Sequence, residues 1–401
     1  MEPDTHDPDR AGQHSHADNT RIPPPPDLYP RYPSELDWLL DRQGGLRAGW
    51  VIALFILLYR LFVPLFGTFA LALYPAFTKS DYSPSTALVS EMVPFLAMLA
   101  AAGMMSAVER RNLTEYNLGG SRRTVNFLFG LVAGFLALSS LVAALAAGGW
   151  LHFGPVALTG TGVLKFGALW GCTFLVVGCF EEGIFRCFLL STLARSLNFW
   201  WALGIVTVVC LDLVMRARGI VGIVSLLWLS PRADIAGNGL WGVFAVALLG
   251  LFPCFFLHQK NVPKNGFWQA AWVTSTVFGF IHTSNNGENW IGIFAAAAIG
   301  FVFCVSIWAT GSAWWAIGCH AGWDWAETYF YGTADSGLPA EGHYLTTSPA
   351  GNVMWSGGTD GPEGSLLVLG IILLLLLAVL AIYGRKRAAA IAPATTEQLT
   401  A

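Results

Sequence analysis

The chain has 401 residues, of which 55% are hydrophobic and 12% are charged, and its formal net charge is −3. The charged fraction is about half that of an ordinary soluble domain, which predicts an integral membrane protein. Because the few Lys and Arg residues form no basic face, the composition excludes nucleic acid as a partner.

The first segment, residues 1–45, is polar and contains a run of prolines from Pro23 to Pro26. It lacks the basic start and the apolar core of a signal peptide, and we predict a disordered N-terminal tail. Its histidines, His6, His14 and His16, are isolated in a polar setting, which is typical of solvated side chains rather than metal ligands.

From residue 49 onward the chain is a series of apolar segments, each near the twenty residues that cross a bilayer as a helix. The sequence therefore predicts an all-α fold, a polytopic transmembrane helical bundle of about 8–10 spans. Residues 46–160 form its N-terminal transmembrane helices, and residues 161–330 form a core that holds many of the ionisable side chains found in apolar segments. The candidate spans lie near residues 49–75, 85–107, 125–148, 163–190, 199–215, 239–257, 267–283, 289–310, 312–330 and 365–383.

Basic residues are concentrated after the second, sixth and last of these segments: Arg110, Arg111, Arg122, Arg123, Lys260, Lys264, Arg385, Lys386 and Arg387. Residues 331–364 contain Asp and Glu but no Lys or Arg. The positive-inside rule therefore predicts a non-cytoplasmic loop at 331–364, and a last transmembrane helix with a cytoplasmic tail at 365–401. Both termini are expected to be cytoplasmic, in a multi-pass protein of the cytoplasmic (inner) membrane.

Two carboxylates and a guanidinium interrupt the apolar core in the stretch FEEGIFR, which contains Glu181, Glu182 and Arg186. An ionisable side chain inside a bilayer costs roughly 2.5 to 3.5 kcal/mol, so it usually faces the bundle interior and has a partner. Glu182 and Arg186 have i, i+4 spacing, so their side chains can meet on a helix, whereas Glu181 points about a quarter turn away.

Two further apolar segments carry histidines. His282 ends the run WVTSTVFGFIH, with Phe278 one helical turn before it, and His320 and Asp324 have i, i+4 spacing in the segment GCHAGWDW. Each residue taken singly has a structural explanation, such as a buried ion pair. The set as a whole supplies a base for water, imidazoles that bind metal or share protons, and donors for an oxyanion, which indicates a hydrolytic site.

In this order the patterns Glu181-Glu182-x-x-x-Arg186, Phe278-x-x-x-His282 and His320-x-x-x-Asp324 resemble the three motifs of the CPBP family. This family comprises the CAAX-protease and bacteriocin-processing membrane proteases, also called Abi proteins, and includes the Ras-converting CAAX endopeptidase. The resemblance covers about residues 163–330. It implies an intramembrane endopeptidase that hydrolyses peptide bonds of membrane-associated or lipid-modified proteins or peptides, with such a substrate and the lipid bilayer as its partners.

The resemblance also implies residue roles. Glu181 is the catalytic glutamate that activates water together with His282, while His320 and Asp324 bind metal or stabilise the oxyanion. Glu182 and Arg186 support the first motif.

The family has been described both as metal-dependent and as glutamate-dependent. Zinc catalysis would use His282, His320 and one of Glu181 or Asp324 as ligands. Because Asp324 stands where the family often has Asn, and an ionised Asp cannot donate to an oxyanion but can bind metal, the sequence favours zinc slightly.

The chain also departs from the family in the long segment between Arg186 and His282, which predicts a helical insert near residues 200–262. Two other functions stay open. One is a non-catalytic membrane scaffold or immunity protein of the same family, and the other is an ion- or proton-coupled transporter that uses the buried charges as its path.

Overall fold

The computed structural model describes residues 41–42, 45–78, 83–217, 239–260, 265–285, 287–334 and 340–384. The predicted N-terminal tail lies outside these residues, except for the paired strands β1 (Asp41–Arg42) and β2 (Gly45–Leu46). The part of the predicted insert at 218–238 and the end of the chain after residue 384 also lie outside them.

Helices make up nearly all of the described chain. The long ones are α1 (Ala48–Leu73), α2 (Pro84–Glu109), α3 (Arg123–Ala147), α4 (Thr161–Glu182), α5 (Phe199–Ala217), α6 (Gly239–Lys260), α7 (Asn265–Ile281), α8 (Trp290–Thr310), α9 (Trp314–Asp324) and α10 (Leu366–Val379). Helix α4 continues through a π-helical turn, Gly183–Leu189, into a last turn at Leu190–Leu193. Helices α9 and α10 also continue into π-helical turns, Trp325–Tyr331 and Leu380–Gly384.

Eight of the described helices are long and apolar enough to cross a membrane. They span Ala48–Leu73, Pro84–Glu109, Arg123–Ala147, Thr161–Leu193, Phe199–Arg216, Gly242–Lys260, Trp290–Thr310 and Leu366–Gly384. The predicted all-α polytopic bundle is therefore confirmed. Helices α7 and α9 are shorter: α9 carries His320 and Asp324, and α7 ends directly before His282.

Capping fixes the ends of the helices that matter most for the site. Helix α8 begins where the side chain of Asn289 accepts hydrogen bonds from the backbone N–H groups of Ile291 and Gly292, and it ends at Gly311, with φ of 78°. A positive φ costs glycine little, so this residue can end the helix in the left-handed conformation. The cap sets the register in which α8 faces its neighbours.

Helix α9 is held against α3 by glycines on both sides of the contact. A Cβ atom added at Gly130, Gly134, Gly318 or Gly322 would overlap a backbone carbonyl oxygen of the facing helix. Paired small residues with i, i+4 spacing allow two helix backbones to approach this closely, and dispersion contacts then stabilise the pair inside a bilayer. This packing determines where α9 presents His320 to the rest of the bundle.

The loops at the two ends of the bundle differ. At one end the arginine-rich loop after α2 contacts the start of α9, because the N–H of Ala313 donates to the carbonyl oxygen of Asn117 at 2.8 Å. At the other end, strands β3 (Leu151–Phe153) and β4 (Thr347–Pro349) pair antiparallel, and Trp150 stacks on Trp355 with ring centroids 5.1 Å apart. Part of the predicted 331–364 loop is thus a folded cap at that end.

The region predicted as an insert contains α5 and α6, which pack against each other and against α7. That it is an insert relative to the family stays a prediction. Arg216 of α5 donates from Nη2 to the hydroxyl oxygen of Ser284 at 2.9 Å, and Ser284 belongs to the short turn that begins at His282. Helix α5 is therefore in direct contact with the turn that carries one of the predicted motifs.

Charged side chains are buried inside this apolar bundle. Among the described residues they are Glu182, Arg186, Asp212, Arg216, Glu327 and Asp360. A buried charge without a partner costs several kcal/mol, so such groups are expected to occur in pairs or networks. Glu182 and Arg186 belong to a network that also includes His320.

Candidate active site

Glu181 and Glu182 lie at the point where α4 changes from α-helix to the π-helical turn. A π-helical turn inserts one residue into the helix and is frequently found at functional sites. The predicted contact between Glu182 and Arg186 is present, with Nε of Arg186 3.1 Å from Oε2 of Glu182, and both side chains are completely buried.

Aromatic rings enclose the guanidinium of Arg186. Its central carbon lies 4.1 Å from the ring centroid of Phe278 and 5.4 Å from that of Phe303. A cation over a ring face is stabilised electrostatically, and more so when both are desolvated. The backbone is held as well, because the side-chain amide of Asn117 donates to the carbonyl oxygen of Arg186 at 2.7 Å. The cation therefore has a single, well-defined position.

His320 joins the first motif to the third. Its Nδ1 lies 2.9 Å from Oε1 of Glu182, the oxygen that Arg186 leaves free. A carboxylate can only accept hydrogen bonds, so Nδ1 is the protonated nitrogen in this contact. Nε2 then faces two other carboxylates, at 3.5 Å from Oδ2 of Asp324 and 3.8 Å from Oε2 of Glu181. The predicted i, i+4 contact between His320 and Asp324 is thus present.

His282 lies in the turn directly after α7. Its Nδ1 is 2.8 Å from the carbonyl oxygen of Phe278, so Nδ1 donates to that oxygen and Nε2 is left as an acceptor. The ring packs edge-to-face on Phe278, with centroids 4.7 Å apart. The spacing Phe278-x-x-x-His282 therefore serves both the backbone hydrogen bond and the ring contact.

His282, His320 and Asp324 line one cavity of about 60 Å³, which is large enough for a few water molecules. Most of the remaining walls come from α8 and α10 and are small or apolar, including Ala295 and Ile372. Glu181 does not itself line the cavity. Its Oε2 lies 3.8 Å from Nε2 of His320, a residue that does line it. Its side chain is 24% exposed, so it is the most accessible of the three carboxylates around that ring.

Three residues of this site do not belong to any predicted motif. Phe303 stacks on His320 with centroids 6.0 Å apart, Gly300 faces Arg186, and Glu363 lines the cavity from the cap. Phe303 and Gly300 lie in an uninterrupted apolar helix, so their sequence carries no local signal. Glu363 lies in the acidic loop, which the sequence marked only as a charged segment.

Carboxyl groups join the cap to the mouth of the cavity. The indole Nε1 of Trp323 donates to Glu363 at 2.8 Å and to Glu327 at 3.0 Å. Asp360, which is 1% exposed, accepts from the backbone N–H of Asn289 at 3.3 Å.

Burial raises the pKa of Asp360 to about 7. Burial, and then the charges of Asp360 and Glu363, raise the pKa of Glu288 well above its usual range.

Zinc would need three protein ligands around one point. Among the residues that the structure describes, no three His, Cys, Asp or Glu side chains are grouped so that they could hold a metal ion. The donors of His320 are divided, since Glu182 occupies Nδ1 while Glu181 and Asp324 share Nε2. In this arrangement the residues do not fit a zinc ion, and the slight preference for zinc in the sequence is left to a chelation experiment.

Comparison with known proteins gives one match. A family model described as "Rce1-like: Type II CAAX prenyl endopeptidase Rce1-like" matches residues 251–326. The matched segment includes His282, His320 and Asp324, whereas Glu181 and Glu182 precede it. No curated protein and no solved structure matches the chain. The match confirms the resemblance to the CPBP and CAAX protease family that the three motifs indicated.

Proposed function

We propose that this chain, a multi-pass membrane protein with an Rce1-like domain of the CAAX protease family, is an intramembrane endopeptidase that uses water activated by Glu181. The Rce1-like domain supports protease activity in general. One observation supports the proposed use of activated water. Three carboxylates surround His320, one of them paired with the buried guanidinium of Arg186, beside a water-sized cavity inside an apolar bundle.

Glu181 is the base in this proposal. Its side chain lies next to His320, which lines the cavity, and it is the most exposed of the three carboxylates around that ring, so it is the carboxylate that water reaches most easily. His282 contributes an unprotonated Nε2 on the cavity wall, which positions the same water by accepting its second proton in a hydrogen bond. The activated water attacks the scissile carbonyl, and Glu181 later returns its proton to the leaving amine.

His320 stabilises the oxyanion. Glu182 holds its Nδ1–H, and in its doubly protonated form the ring also carries Nε2–H, which faces Asp324 and Glu181 at rest and donates to the oxyanion when it forms. Asp324 cannot donate when it is ionised, so we assign it to orienting the ring. Arg186 neutralises Glu182 and fixes its position, so it acts through other residues rather than on the substrate.

The walls of the cavity indicate the kind of substrate. Small and apolar side chains line the cavity beside the histidines, and the site lies among membrane-spanning helices. Peptides of membrane-associated or lipid-modified proteins fit this setting because their apolar part stays in the bilayer during cleavage. The arginine-rich loops favour cytoplasmic termini, and the cap then lies on the opposite side of the inner membrane.

Cleavage assays on the purified protein in detergent test the proposal. Wild type is incubated with a peptide library in farnesylated and unmodified forms, next to Glu181→Gln and His282→Ala. Matched controls are Glu115→Gln and His258→Ala, which alter exposed residues outside the site. We expect cleavage by wild type and both controls, and its loss in both site variants. Activity retained by Glu181→Gln would refute the assigned base.

The two competing functions predict other results. A scaffold protein binds peptides without cleaving them, with or without Glu181. A transporter moves ions or protons across the membrane of reconstituted vesicles, and Glu181→Gln abolishes this flux.

A further inference from the structure

Gly300 lies in the middle of α8 and is buried against the guanidinium of Arg186. A Cβ atom at this position would overlap Nη2 of Arg186 and would lie 3.4 Å from Cδ1 of Phe278 and from Cα of Ser275. The guanidinium therefore occupies the volume that any other residue at position 300 would fill.

The neighbouring side chains enclose the guanidinium. Phe278 and Phe303 cover it, the side chain has no exposed surface, and Nε is 3.1 Å from Glu182. The head group is planar and rigid, so displacing Nη2 also displaces Nε. A methyl group at Gly300 would consequently move or tilt the group that fixes Glu182.

Glu182 is the hydrogen-bond partner of Nδ1 of His320, at 2.9 Å. The contacts form one chain, from Gly300 through Arg186 and Glu182 to the imidazole ring. We propose that Gly300 is a positioning residue for His320. Because glycine has no side chain, it leaves the space that the guanidinium of Arg186 occupies, and the guanidinium in turn fixes Glu182. The inference rests on the proposed function only for its effect on cleavage.

A second explanation is that Gly300 only permits close helix packing, as Gly134 does. The atoms in contact argue against it, because the overlapping atom at Gly300 is a side-chain nitrogen of Arg186 and the overlapping atom at Gly134 is a backbone oxygen. The two explanations predict different behaviour when the side chain at position 186 is shortened. Lysine places its ammonium near the central carbon of the guanidinium and has no atom at the Nη2 position.

The decisive experiment is a double-mutant cycle of Gly300→Ala and Arg186→Lys, read as thermal stability and as cleavage. Gly242→Ala is the control for an equally crowded glycine far from Arg186, since its Cβ would lie 2.7 Å from Cβ of Trp290. Gly370→Ala is the control for open space, because nothing lies within 4 Å of its Cβ.

We expect Gly300→Ala to lower kcat by roughly 10- to 100-fold with little change in KM, as misplacement of a catalytic group does. In the double variant, alanine fills the space that Nη2 vacates. The double variant should therefore lose less thermal stability than the two single variants lose together, and it should cleave faster than Gly300→Ala alone. Additive effects in both readouts would overturn the inference.

A spectroscopic readout separates this inference from the proposed activity. In protein labelled with ¹⁵N-histidine, the Nδ1–H signal of His320 is identified by its loss in His320→Asn. We expect this signal to shift in Gly300→Ala and to stay in place in both glycine controls. If wild type cleaves nothing but the signal shifts, the proposed function fails and the positioning role stands. An unchanged signal in Gly300→Ala would refute the positioning role.

Discussion

Replacing Asp360 with asparagine should make the protein more stable at neutral and alkaline pH. The carboxyl group is 1% exposed, and burial raises its pKa from an ordinary value of 3.8 to about 7. An uncharged amide has the same shape as the protonated carboxyl group, and its oxygen can still accept from the N–H of Asn289. The amide variant thus retains the contact without the cost of a buried charge.

The magnitude follows from the shift in pKa. Between pH 3.8 and 7 the unfolded chain has lost this proton while the folded protein still holds it, so the free energy of unfolding falls as pH rises through this window. Above about pH 7 both states are ionised and the loss is constant. A difference of about 3 pKa units at 1.36 kcal/mol each gives roughly 4 kcal/mol, shared in part with the neighbouring Glu288.

Thermal unfolding in detergent at pH 5 and at pH 8 measures this effect. We expect wild type to be less stable at pH 8 than at pH 5, and Asp360→Asn to lose much of that difference. Glu115→Gln is the control, because that carboxylate is exposed and a hydrogen bond from the backbone of Asn112 lowers its pKa. If Asp360→Asn is no more stable than wild type at pH 8, the buried charge does not carry the cost assigned to it.

Arg186→Met should lower the free energy of unfolding by roughly 3–5 kcal/mol, because it leaves the buried Glu182 without its cation. Adding Glu182→Gln should recover part of the loss in thermal unfolding, and a greater loss would contradict this pairing. Gly134→Leu should prevent α3 and α9 from packing and abolish monodisperse expression, measured by size-exclusion chromatography, whereas Gly370→Leu should not. Chelators should leave cleavage unchanged, since the donors are not grouped for a metal ion in the described part of the chain; loss of activity that zinc restores would show that they regroup.

The contacts within one helix could be predicted from the sequence. Glu182 and Arg186, and likewise His320 and Asp324, have i, i+4 spacing, and both pairs are in contact. The membrane-spanning class could be predicted as well, because mean hydropathy is a property of each segment by itself. Both predictions depend only on residues close together in the chain, where helix geometry fixes the distances.

The contacts between helices were decided by the tertiary structure alone. Glu182 and His320 are 138 positions apart, yet their side chains form the hydrogen bond that joins two motifs. Which nitrogen of His320 faces which carboxylate depends on how α9 is placed against α3 and α4, and local patterns do not encode which helices meet or how they are rotated. The proposed role of Gly300 could not be predicted from the sequence at all, because it depends on the space left by a side chain that glycine lacks. That space matters only because the folded bundle places the guanidinium of Arg186 in it.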